Sequence, residues 1–357
     1  MKCIIVGAGI IGMLAARELA AAGAKVTLIE RNEAGGRGCS WAAGGMLMPM
    51  HPWRFPASGW PLVAQGQQLW PVLCKALHQE TGLDPEWIAS GMLIADAAPV
   101  AASLAWAGAA GIQAAPATAC EQAPPGLDLA GGVWLPEAAQ VRNPRLLRAL
   151  RLALPKQGVV LLERTQVSGV VIKHGHIAGV TTPAGECAAE RVVLAAGAWT
   201  SSLLPVASAL PHIRPVRGQM LLLRPDRPRL ATIVLRGGNY LIPRRDGLIL
   251  AGSTSEEVGF DETVTPAVAR SLRDFAASVL PELAQAKVMS QWAGLRPALA
   301  RELPLICAHP AITGLYIAGG HHRHGYALAP GSARLLADLL LGRRPAVDPH
   351  PYCPAAA

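Results

Sequence analysis

At 357 residues, 51% of them hydrophobic and 16% charged, the chain is long enough for two domains or one large α/β unit and apolar enough to build a sizeable core. The net charge of +8 comes from arginines spread along the chain rather than clustered with aromatics. That argues against nucleic acid as a partner and for attraction of an anionic cofactor and small anionic substrates. Seven scattered cysteines without a CxxC pair suit a reducing cytoplasm and argue against a disulfide framework or a structural zinc site. No apolar run reaches the about 18 residues of a membrane span. The N-terminal apolar stretch is interrupted by Arg17 and Glu18, which does not fit a secretory signal.

In chain order, Cys3-Ile4-Ile5-Val6 predicts a buried strand, Gly7-Ala8-Gly9-Ile10-Ile11-Gly12 a glycine turn, Met13 to Ala22 a helix, and Lys25 to Ile29 a second strand that ends on Glu30. Strand, glycine turn, helix, strand, acid is the order that a dinucleotide site requires. Gly7 permits the tight turn, Gly9 admits a pyrophosphate to the backbone, and Gly12 lets the helix lie close to the strand. The helix N-terminus, with Ile10 and Ile11, faces the phosphates with its partial positive charge. Glu30 is placed to accept hydrogen bonds from a ribose hydroxyl, with Arg31 beside it. No second glycine fingerprint occurs, so the chain binds one nucleotide.

A glycine-rich stretch, 35–47, leads into an irregular region punctuated by Pro49, Pro52, Pro56 and Pro61. A helix is expected over 62–81, with Leu62, Leu69, Val72, Leu73 and Leu77 as its apolar stripe. A strand at 91–95 and a short helix with loops over 99–140 follow. A helix over 143–154 opens on Asn143 as N-cap and Pro144 at its first position. Strands are expected at 159–163 and 167–172, and at Arg191 to Trp199, the last closing on a glycine turn. Strands at 213–223, 231–235, 239–243 and 248–252 mark a shift to a strand-rich region, with a helix at 266–279. A strand from Gly314 enters a glycine loop at Gly319-Gly320-His321, and a helix over 331–341 closes the fold.

Four further segments carry a family resemblance over nearly the whole length. They are Cys39 to Leu47 with His51-Pro52-Trp53-Arg54, Asn239 to Arg244 with Gly252-Ser253-Thr254, Trp292 to Pro297, and Gly320 to Gly325 with Ala329-Pro330. With these the chain resembles the D-amino acid oxidase superfamily, in particular the glycine oxidase branch associated with thiamine biosynthesis. The resemblance implies an α/β fold: a discontinuous Rossmann-like domain binding FAD non-covalently (1–83, 141–205 and 290–357) and a strand-rich substrate domain (84–140 and 206–289). It implies oxidative deamination of a small amino acid or amine, with dioxygen as acceptor and hydrogen peroxide as product. A dehydrogenase of the same fold, passing electrons to a quinone or another carrier, stays open, as do a non-enzymatic flavin-binding module and a homo-oligomer.

By the same resemblance Arg296 grips the substrate carboxylate, Tyr240 adds a hydroxyl and a pocket wall, and Arg323 faces the substrate or the reduced ring. The cofactor is expected to touch Gly7, Gly9, Ile10, Ile11, Gly12, Glu30, Arg31, Ser40, Ala43, Gly44, Gly45 and Met46. Further along it meets Val167, Ala196, Gly197 and Trp199, then Gly320, His322, Arg323, His324, Gly325 and Tyr326. No metal is expected, because adjacent histidines in a turn point apart. Cys39 is expected as a small residue packed near the ring. The chain departs from the family pattern at Ala298 and Leu299, at His322 and His324, and at Tyr326. Sarcosine or a small D-amino acid therefore fits as well as glycine.

Overall fold

The structure is a computed structural model, and residues 1–96, 99–205, 210–227 and 229–354 are described. The chain opens with β1 (Lys2–Val6), α1 (Ile10–Ala21), β2 (Lys25–Ile29), a short α2 (Cys39–Ala42) and the long α3 (Trp60–Thr81). It continues through β3 (Met92–Ile94), α4 (Val100–Ala109), β4 (Ala115–Pro116), β5 (Val133–Leu135), α5 (Asn143–Lys156) and β6 (Val160–Leu162). Then come β7 (Gly169–Lys173), β8 (His176–Thr182), β9 (Gly185–Ala188), β10 (Arg191–Leu194), β11 (Arg214–Arg224), β12 (Ile233–Arg236), β13 (Asn239–Pro243) and β14 (Ile249–Gly252). The last elements are α6 (Pro266–Val279), β15 (Lys287–Ala298), β16 (Leu305–Ala308), β17 (Leu315–Gly319) and α7 (Gly325–Leu340).

A six-stranded sheet has the order β16-β17-β10-β1-β2-β6 and is parallel apart from β16. Side chains alternate across a strand. On β1, Cys3 and Ile5 join the core shared with α1, α3, α5 and α7, while Ile4 and Val6 join the opposite core, against β8 and β10. Both faces are covered, as a parallel sheet requires. An eight-stranded sheet, β15-β11-β14-β13-β12-β3-β5-β4, forms the second layer system. Leu221, Leu241, Ile249 and Ala251 pack with Leu272 and Ala276 of α6 on one face. Met220, Tyr240, Ile242 and Leu250 lie on the other. The strands β7, β8 and β9 form a separate antiparallel sheet.

Several expectations change. The domain boundary expected at residue 290 falls inside β15, which pairs with β11 from Arg214↔Ala298 to Arg224↔Lys287. Residues 290–298 therefore belong to the larger sheet. The boundary expected between 205 and 206 abuts residues outside those described. On α3 the buried face is Leu62, Val63, Gly66, Trp70, Cys74 and Leu77, whereas Val72 is 67% exposed. Asn143 does not cap α5: the cap position is Arg142, and the Asn143 amide is used elsewhere. Helix α7 begins at Gly325, six residues before the expected start, and runs through Pro330. The seven cysteines are all free, and among the described residues no helix is long and apolar enough to cross a membrane.

Candidate active site

One long cavity runs along the C-terminal ends of the parallel strands and beneath the inner face of the larger sheet. Its first part is built by the β1–α1 turn. Gly7 has φ +104°, and its N–H donates to the Ile29 carbonyl at 2.8 Å. A Cβ at Gly12 would sit 1.9 Å from the Gly7 carbonyl oxygen, so only glycine lets α1 start there. Gly9, Ile10 and Ile11 line the cavity with the helix N-terminus, while Gly12 packs beneath it and does not. Glu30 accepts from the Ala8 N–H at 2.8 Å and from the Asn32 N–H at 3.0 Å. Its carboxylate is thus fixed at the cavity wall by the turn itself, one backbone amide on each oxygen. Val167 lines the same end, together with Ala196, Gly197 and Trp199 after β10. The Arg31 guanidinium lies 3.6 Å above the Trp199 ring.

The middle is the loop after α2. The Ser40 hydroxyl accepts from the Ile10 N–H at 2.9 Å, tying α2, which leads into this loop, to the first turn of α1. The Ser40 carbonyl accepts from the Tyr326 hydroxyl at 2.8 Å and the Asn143 amide at 3.1 Å. Asn143 donates to the Ala43 carbonyl at 2.6 Å, and half-buried Arg244 donates to the Gly44 carbonyl at 2.8 Å. Gly45 has φ +76°, and a Cβ there would meet both Asn143 Oδ1 and the Val141 carbonyl at 2.2 Å. Ala43, Gly44, Gly45 and Met46 are thereby held as a rigid wall of the cavity. Neither Asn143 nor Arg244 was expected as a site residue. Asn143 carries a capping signature that its side chain does not use.

The far end is made by the larger sheet. Strand alternation puts Gly218, Met220, Tyr240 and Arg296 on its cavity face. Arg296 donates to Ser253 Oγ at 2.7 Å and to the Thr254 carbonyl at 3.0 Å. A Cβ at Gly218 would lie 2.2 Å from Arg296 Nη2, so the glycine in β11 makes room for the guanidinium. The buried Tyr240 hydroxyl donates to Met220 Sδ at 3.3 Å. Arg323 enters from the β17–α7 loop. Removal from bulk water, and then the neighbouring Arg296 charge, hold its pKa below the ordinary arginine value. Among the described residues neither Arg296 nor Arg323 has a carboxylate partner within ion-pair distance.

The three histidines of this loop separate. His322 lines the cavity with a buried, unpartnered Nε2, and its backbone N–H donates to the Pro297 carbonyl at 2.9 Å. Burial, reinforced by Arg323 and Arg296, lowers its pKa to about 3. His321 also lines the cavity; burial lowers its pKa to about 3, and Nε2 lies 3.1 Å from Ser332 Oγ. His324 instead packs edge-on against Phe55 at 4.7 Å and is absent from the cavity wall. Gly320 is also absent from it. With φ +82°, Gly320 lies against Leu299, and a Cβ there would sit 2.2 Å from the Leu299 side chain. Gly325 and Tyr326 reach the cavity. Cys39 lines it with its thiol pushed up to about 11, chiefly by burial, so the sulfur stays protonated.

Residues 2–339 match the sequence model of the family described as FAD dependent oxidoreductase, and the chain belongs to that family. Among individual relatives, it is 45% identical to glycine oxidase of Pseudomonas aeruginosa over 99% of this chain and 98% of that one. It is 40% identical to the glycine oxidase of Pseudomonas putida, with 99% and 98% covered. A bifunctional protein ThiO/ThiG of Nostoc is 36% identical over 96% of this chain and 53% of its own length. The crystal structure of glycine oxidase from Geobacillus kaustophilus superposes with a TM-score of 0.90 at 30% identity, covering 99% and 98% of the two chains.

The cavity fits FAD on its own terms. The turn end offers a helix N-terminus, a fixed acid and two glycines that leave no room for side chains. The cavity then continues without a break past Met46 to Tyr240 and Arg296. Gly7, Gly9, Ile10 and Ile11 would hold the diphosphate, Glu30 a ribose, and Gly44 to Met46 with the backbone around His322 and Gly325 the ring.

Proposed function

We propose that this chain catalyses the oxidative deamination of glycine or a close relative, sarcosine or a small D-amino acid, with dioxygen as electron acceptor. The observation that carries the reading is the pair Arg296 and Arg323: two guanidiniums facing one cavity end without a carboxylate partner among the described residues. Such an arrangement favours an anionic ligand. A guanidinium grips a carboxylate through two parallel hydrogen bonds and so fixes direction as well as charge. Tyr240 and the side chains of Met46, Met48, Met50 and Met220 are among the residues that line the cavity, and they give it largely apolar walls.

When bound, FAD supplies the redox step, taking a hydride from the substrate α-carbon and returning two electrons to dioxygen to give hydrogen peroxide. The chain supplies the rest. Arg296 holds the carboxylate, Arg323 adds a second positive charge, and Tyr240 closes the side of the pocket. The same two charges disfavour a substrate ammonium and so favour the neutral amine that the reaction needs. His322, kept neutral by burial, adds no further charge. Among the described residues lining the cavity the acids are Glu30 and Glu33, both at the turn end. The amine proton therefore leaves to solvent rather than to a carboxylate base. The imine product then hydrolyses in water or feeds thiamine thiazole synthesis. The fusion of a related sequence within the ThiO/ThiG protein supports that second fate.

The test is to add glycine, sarcosine and D-alanine to the flavin-loaded protein without oxygen. Loss of the visible flavin colour with at least one of them, followed by peroxide release in air, is expected. No bleaching by any carboxylate-bearing amine would overturn the reading. Bleaching without peroxide would assign the chain to the carrier-linked dehydrogenases instead.

A further inference from the structure

Arg296 is aimed by hydrogen bonds, not by an ion pair, and both acceptors, Ser253 Oγ and the Thr254 carbonyl, lie just beyond the end of β14. What fixes that segment therefore fixes the guanidinium. The segment is tied to β11 by an isolated bridge, in which the Arg217 and Glu256 backbones exchange N–H···O bonds of 2.9 Å. The Glu256 side chain adds the rest. Its Oε1 accepts from the Thr254 hydroxyl at 2.5 Å and from the Gln219 amide at 3.0 Å. Its Oε2 accepts from buried Arg217 at 2.6 Å. With its hydrogen committed to Glu256, the Thr254 hydroxyl uses a lone pair to accept from the Gln219 N–H at 2.9 Å. Gln219 is fully buried and anchored in turn, accepting from the Thr265 N–H at 2.9 Å and from Gln291 of β15 at 3.1 Å.

We propose that Glu256 is the positioning residue for the carboxylate grip, acting through Thr254 to hold the Arg296 guanidinium in its binding direction. The inference rests on the reading of Arg296 as the carboxylate ligand. A substrate as small as glycine has few other handles, so the aim of one guanidinium decides how tightly its carboxylate is held. Asp261 provides the contrast. It also pairs with Arg217, at 2.5 Å, but among the described residues no hydrogen bond joins it to Thr254.

The test compares Glu256→Gln, Thr254→Val, Asp261→Asn and Arg296→Ala, each flavin-loaded, with acetate as the carboxylate probe. Acetate affinity is read from competitive inhibition and from the change in flavin absorption. Glu256→Gln and Thr254→Val are expected to weaken acetate about tenfold and raise the KM for glycine to match, with kcat within about threefold and an unchanged flavin content. Asp261→Asn is expected to bind acetate as the unaltered protein does. Should Glu256→Gln fail to fold, Thr254→Val decides. Normal acetate affinity in the folded Glu256 or Thr254 variant, with Arg296→Ala weakened, overturns the positioning role alone. Normal affinity in Arg296→Ala overturns the carboxylate reading beneath it. A fall in kcat with no change in KM or acetate affinity would also reject the positioning role.

Discussion

At Gly218 a single methyl group would intrude on the charge that the site depends on. The added Cβ would stand 2.2 Å from Arg296 Nη2. The guanidinium is the flexible end of its side chain, so the strand would persist and the arginine would swing away. Gly218→Ala is therefore expected to raise the KM for glycine by about tenfold or more while leaving flavin binding intact. Titration of flavin content alongside steady-state kinetics checks both halves. Tyr240 behaves differently, because its hydroxyl is spent on the Met220 sulfur, a weak acceptor. Tyr240→Phe is expected to change kcat/KM only severalfold, and a loss of a thousandfold would show that the hydroxyl leaves that sulfur for the substrate. Arg296, Tyr240 and Arg323 were legible in the sequence through their motifs. Gly218 and Met220 were not, because their roles arise from cross-strand register between segments far apart in the chain.

At the scale of elements, the loop between β17 and α7 holds three neutral imidazoles, His321 buried and His322 and His324 half-buried. Burial lowers His321 and His322 to about 3 and His324 to about 4, from an ordinary value of 6.5. Above the unfolded value both states are neutral, so these groups add no pH dependence. As pH falls below 6.5 the unfolded chain takes up protons that the folded loop refuses. Stability therefore drops between 6.5 and the folded values near 3 and 4. Melting temperatures should fall steeply from about pH 6.5 to about pH 5, less so in His324→Gln, and equal slopes would contradict this account. The loop after α2 gives a second expectation. Asn143→Ala removes donors to the Ser40 and Ala43 carbonyls and should cost about 2 kcal/mol in denaturant unfolding. Among elements, β1, α1 and β2 were readable because their pattern is local and periodic. β15 was not, since its first four residues are exposed, Gly294 and Pro297 interrupt it, and its partner β11 lies far back in the chain. β9 and β16, four residues each, were missed for the related reason that short strands are defined by their neighbours.

At the scale of the molecule, one cavity is lined by residues from Val6 to Tyr326, drawn from both larger sheets and the helices between them. A ligand that needs all of these at once binds the folded chain and not the unfolded one. Free FAD at a hundredfold excess over its dissociation constant should then stabilise the protein by about 2.7 kcal/mol, seen as a rise in melting temperature that grows with FAD concentration. The overall order, nucleotide turn first and arginine-bearing motifs last, could be read from the sequence. The way β15 leaves the C-terminal third to join the larger sheet could not, and that crossing brings Arg296 over the cavity. The most direct measurement is the half-saturating glycine concentration for anaerobic flavin reduction in the unaltered protein and in Arg296→Ala. Rapid, saturable reduction is expected in the first and a requirement about a hundredfold or more higher in the second, at equal flavin content. Equal half-saturation in the two would contradict Arg296 as the carboxylate ligand.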